Sequence, residues 1–115
     1  MSKDERIEKK GGQDTRMYYL NDIERAFGSG KNKETVLKAR FLNAILIKLD
    51  ATAEIPPHYE DYDAVFYVIE GEGQFTIGES IINGVKGMLI NAPKEHKRGI
   101  RTTSSLLILG LQEPH

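Results

Sequence analysis

At 115 residues, with 39% hydrophobic and 29% charged side chains, the chain has the size and composition of one soluble domain. Sixteen basic and 17 acidic residues leave a net charge of −1, so no overall field draws it to nucleic acid or to an anionic membrane. The absence of cysteine excludes disulfides, thiolate metal centres and cysteine nucleophiles. No apolar run reaches the roughly 18 residues of a bilayer span, and no signal-peptide core follows Met1, so a cytoplasmic location is expected.

Residues 1–16 mix both charges around a single large apolar residue after Met1, Ile7, and read as a flexible arm. Residues 17–115 read as one domain. Met17-Tyr18-Tyr19-Leu20 reads as a short strand, followed by a brief helix over Asp22 to Phe27 with Asn21 as its cap and Gly28 as its stop. Ser29 to Lys33 reads as a loop; its Gly-Ser-Gly-Lys cluster lacks the spacing of a phosphate-binding loop. From Thr35 the pattern is β throughout. Val36 to Ala39 and Phe41 to Leu49 are apolar-rich, with a bend at Asn43-Ala44, and Pro56-Pro57 interrupts the ladder. Val65 to Ile69 is a strand, Gly71 and Gly73 flank a turn, Gln74 to Ile77 returns, and Gly78-Glu79 turns again. Asn83-Gly84 is a hairpin signal, Met88 to Ile90 a further strand ended by Pro93, and Leu106 to Leu111 the last. Many short strands with turn residues between them predict a sandwich or barrel.

The chemistry concentrates in Pro56-Pro57-His58-Tyr59-Glu60. Residues two apart on a strand share a face, so His58 and Glu60 can aim into one cavity. Ser80, Ser104 and Ser105 have no recognisable nucleophile setting, and His115 has no assigned role.

Two blocks resemble the cupin superfamily, in its small single-domain form. Pro56-Pro57-His58 through Phe66-Tyr67-Val68-Ile69-Glu70-Gly71-Glu72-Gly73 is similar to the first cupin motif, and Gly87-Met88-Leu89-Ile90-Asn91-Ala92-Pro93 to the opening of the second. The resemblance covers about residues 35–113 and implies a double-stranded β-helix (jelly-roll) barrel, here with a short N-terminal helix, and a homodimer. It also implies a metal site, but here only His58 matches a ligand in kind. Glu60 stands where a second histidine is expected, Ala64 where a glutamate is expected, and Arg98 where the last histidine is expected. His96 lies two residues before Arg98.

Three readings follow. In the preferred one no metal is expected as cofactor. Arg98 and Glu60 form a charge-assisted pair in the barrel mouth, and a small polar or anionic molecule binds at His58, Glu60 and Arg98, with Tyr62 and His96 at the rim. Tyr59 and Tyr62 supply an aromatic wall. In the alternative, a metal-dependent dioxygenase or isomerase, a divalent Fe, Mn, Zn or Ni ion sits on His58, Glu60 and His96, with Asp61 or Asp63 adding an oxygen. In the third, the charged residues are solvated loops and the barrel is a non-catalytic interaction module. A general base at His58, partnered by Glu60 or Tyr62, is a further option.

Overall fold

The computed structural model describes residues 16–115, which form one short helix and eight strands. The arm expected over residues 1–16 lies, Arg16 apart, outside the described residues. Helix α1 spans Leu20–Arg25. It replaces two expectations: Met17 to Leu20 is not a strand, and Asn21 is not the cap. Tyr19 occupies the cap position with no side-chain bond to the helix, while Asp22 places a carboxylate in the first turn, where the helix dipole favours it. The helix packs on the first two strands, with Lys48 Nζ 3.0 Å from Glu24 Oε2.

The strands are β1 (Lys31–Lys38), β2 (Asn43–Leu49), β3 (Glu54–His58), β4 (Ala64–Ile77), β5 (Ser80–Val85), β6 (Leu89–Ala92), β7 (Arg98–Arg101) and β8 (Leu106–Gln112). The expected loop at Ser29 to Lys33 is therefore shorter, and Asn43-Ala44 begins a strand rather than bending one. Every pairing is antiparallel. One sheet runs β1-β2-β8-β4-β6 and the other β3-β7-β4-β5, so β4 belongs to both.

Strand β4 shows how the barrel closes. Gly71 and Gly73 do not flank a turn: the chain runs on through them from one sheet into the other. Before the crossing Ala64, Phe66 and Val68 are buried; after it Gly73, Phe75 and Ile77 are buried. The inward set changes from even to odd positions. A register shift between Val68 and Glu70 supplies the extra residue, and Gly71 takes a φ of 82° that a β-carbon would oppose. A side chain there would meet the Ser105 carbonyl oxygen at 2.0 Å. Both halves thus face one core, in which Val68, Phe75, Leu49, Leu106 and Ile108 are fully buried, each contributing roughly 1.5–3 kcal/mol.

Asn83-Gly84 is not a hairpin either. Gly84 pairs with Gly73 inside β5, one residue from its end, and it is glycine because the Phe75 ring would lie 2.5 Å from any β-carbon. The hairpin is at Gly78-Glu79, with Ile77 facing Ser80 and Gly78 at a φ of 62°. Pro56 and Pro57 lie inside β3, which pairs with β7 alone and slips register between Ile55 and His58. An outer strand tolerates their missing N–H groups.

Candidate ligand pocket

Register brings the candidate residues to one end of the barrel. His58 ends β3 and pairs directly with Arg98, which begins β7. Ala64 begins β4 and pairs with Ala92 on one side and Gln112, the last residue of β8, on the other. Directly opposed residues in an antiparallel pair project to the same face. The result is a cavity of about 30 Å³ lined by His58, Glu60, Tyr62, Arg98 and Gln112, with Lys33 and the apolar side chains of Ile47, Ile55, Phe66 and Ile100.

Arg98 is the unusual member. It is 4% exposed. Its Nη2 donates to the carbonyls of Tyr62 (2.7 Å), Ala92 (3.0 Å) and Pro93 (3.3 Å), and its Cζ lies 5.0 Å from the Tyr62 ring centroid. Its Nε and Nη1 are buried with no hydrogen-bond partner, and among the described residues no carboxylate forms an ion pair with it. Removing a cation from water without a counter-charge is costly, and three carbonyl dipoles compensate only in part. Gln112, 6% exposed, has a buried Oε1 that also lacks a partner. Its Nε2 reaches Tyr62 Oη at 3.5 Å.

His58 sits quite differently. Its Nδ1 donates to the Pro56 carbonyl at 2.9 Å, and its Nε2 lies 2.9 Å from Glu60 Oε2. Both ring nitrogens thus face an oxygen of a neighbouring group. The two side chains remain 40% and 35% exposed, within reach of solvent screening.

Tyr62 is buried at 8% exposure, not on the rim as expected. Burial pushes its phenol upward from the ordinary value near 10, and Glu60 adds to this while Arg98 opposes it. The His115 ring stacks on it at 3.8 Å and 8°, so this residue acquires a contact where none was expected. Asp63 and Glu113 hold that segment in place: the Glu113 amide donates to the Asp63 carbonyl, and the Asp63 amide to Glu113 Oε1, both at 2.9 Å.

Two expectations need correction. The pair between Arg98 and Glu60 does not form. Glu60 is two residues from His58 and bonds its ring, while Arg98 turns inward to main-chain carbonyls. His96 is not in this cavity. It lies exposed in the turn after Pro93, its ring against Gly78, in a separate open groove with Tyr59, Glu79 and Lys97. Tyr59 is likewise exposed there, with Lys97 Nζ 5.5 Å from its ring centroid, and forms no wall of the cavity. The set His58, Glu60 and His96 is therefore not assembled, and Asp61 and Asp63 are not in the cavity lining. Among the described residues no three His, Cys, Asp or Glu side chains converge as a metal would need. One imidazole, one carboxylate and a permanently protonated guanidinium do not fit a divalent ion.

Lys33 and Gln112 were missed by sequence reasoning. Neither lies near a motif; only the pairing of Lys33 with Ile47, and of Gln112 with Ala64, brings them here. Two wider grooves of about 490 and 580 Å³ lie elsewhere, but neither contains a buried unpartnered polar atom, so the smaller cavity is the better candidate.

No protein-family model matches the chain, and no curated protein sequence does so. Solved structures do. TT1209 from Thermus thermophilus is 26% identical over 85% of this chain and 96% of its own, with a TM-score of 0.76. A cupin-2 domain protein from Shewanella frigidimarina is 22% identical over 88% and 97%, with a TM-score of 0.74. An RmlC-like cupin from Desulfovibrio desulfuricans is 24% identical over 74% and 83%, with a TM-score of 0.66. Two curled antiparallel sheets sharing a strand define an all-β double-stranded β-helix. Its fold is that of the small single-domain cupins. No described helix is long and apolar enough to cross a membrane.

Proposed function

We propose that this cupin binds a small anion in the barrel mouth, with Arg98 as the anchor. One observation carries the reading: a buried guanidinium with two unpartnered nitrogens and, among the described residues, no carboxylate in an ion pair with it. A ligand oxyanion supplies both the missing charge and the missing acceptors. Lys33 adds positive potential at the entrance, and Glu60 holds the His58 ring in place. Fold alone assigns no reaction, so the reading rests on the site. Calorimetric titration with small carboxylates tests it. Arg98→Met is expected to lower affinity at least about 100-fold, the loss of a charge-assisted contact of about 2.7 kcal/mol. Equal binding by both proteins would remove Arg98 from the site.

A homodimer has one specific observation in its favour. Tyr67 and Leu89 are paired neighbours on β4 and β6, and Leu89 is 67% exposed. A second copy covering this patch would keep Leu89 from water. A monomer in sedimentation equilibrium removes that proposal.

A further inference from the structure

We infer that the anion carries a hydroxyl group beside its charged oxygens: a small hydroxycarboxylate, with glycolate as the minimal member. This rests on the anion reading above and adds to it the second orphan of the cavity. Arg98 offers donors only, and three of a guanidinium's five N–H bonds are those on Nε and Nη1. Gln112 Oε1 is an acceptor only, buried and without a donor. Both residues are more than nine-tenths buried and line the same cavity. A plain carboxylate satisfies the first and leaves the second unpaired. An ammonium group would satisfy Gln112, but it would bring a positive charge next to Arg98 and Lys33. A hydroxyl supplies the donor with no charge. The apolar walls at Ile47, Ile55, Phe66 and Ile100 suit the carbon between the two polar ends, and about 30 Å³ limits the molecule to a few heavy atoms.

The test compares glycolate, acetate and glycine by calorimetry on the full-length protein. Glycolate is expected to bind about tenfold more tightly than acetate, and glycine more weakly than both. Gln112→Leu is expected to abolish the difference, so that glycolate and acetate bind the variant equally. If glycolate and acetate bind wild type equally, and Arg98→Met weakens both, the hydroxyl inference is overturned and the anion pocket stands. If none of the three binds wild type, or Arg98→Met binds them as well as wild type, the anion reading itself is overturned. Because the glycolate–acetate comparison is made on wild type, it decides the matter even if Gln112→Leu fails to fold.

Discussion

His58 and Arg98 are register partners across β3 and β7, yet they hold their side-chain nitrogens in opposite ways. His58 is partly in water, and each of its ring nitrogens has an acceptor at 2.9 Å. Arg98 is out of water, and two of its three nitrogens have nothing. The first is an exposed pair of the kind that contributes at most about 1 kcal/mol. The second is a buried charge whose environment is incomplete. Neighbouring residues on one sheet can thus differ greatly in how much a ligand can improve their surroundings.

The comparison can be broken by separating the two strands. Gly99 follows Arg98, and a side chain there would meet the Pro57 nitrogen at 2.7 Å, main chain that cannot step aside cheaply. Gly99→Ala is expected to cost about 1–3 kcal/mol in urea unfolding and to weaken anion binding with it, because β3 moves away from β7. An unchanged unfolding midpoint would mean that the strands accommodate a methyl group. A milder change sharpens the contrast at the exposed member. His58→Ala or Glu60→Ala is expected to cost less than about 1 kcal/mol in stability and a few-fold in anion affinity, far below the Arg98→Met effect. Comparable losses in the two series would put the site's leverage in the exposed pair instead.

The smallest effect concerns Tyr62, whose ring lies beside the guanidinium. Its phenol is raised by burial, so folding favours the neutral form. That contribution is complete below the unfolded value near pH 10 and disappears as pH climbs through the higher folded value. Wild type should therefore lose stability above about pH 9 more steeply than Tyr62→Phe, as followed by urea melts. Parallel profiles would indicate that the hydroxyl ionises as freely in the folded protein as in the unfolded one.

Much of the barrel was legible in the residues. Val65 to Ile69 read as a strand because a β-rich apolar run has few other options, and His58 and Glu60 were placed together by alternation alone. Glycine was the main source of error. Gly71 and Gly84 read as turn signals, but the structure uses one for a left-handed corner and the other to admit the Phe75 ring. Local sequence does not distinguish a glycine that turns the chain from one that lets a neighbour approach. The Arg98–Glu60 pair failed for a related reason. Opposite charge suggested a partnership, whereas reach decided it: His58 was nearer to Glu60, and main-chain carbonyls were nearer to Arg98. Gln112 was beyond sequence reasoning, since only strand pairing brings residue 112 beside residue 64.

The crease at Ile69 to Gly71 makes the longest strand behave as two pieces spliced out of step. Deleting Ile69 would take out the extra residue: Val68, Phe75 and Ile77 would then fall on one face by plain alternation, and what would be lost is the bend that carries the strand from one sheet into the other. A single codon at that crease therefore carries the curvature of an entire wall.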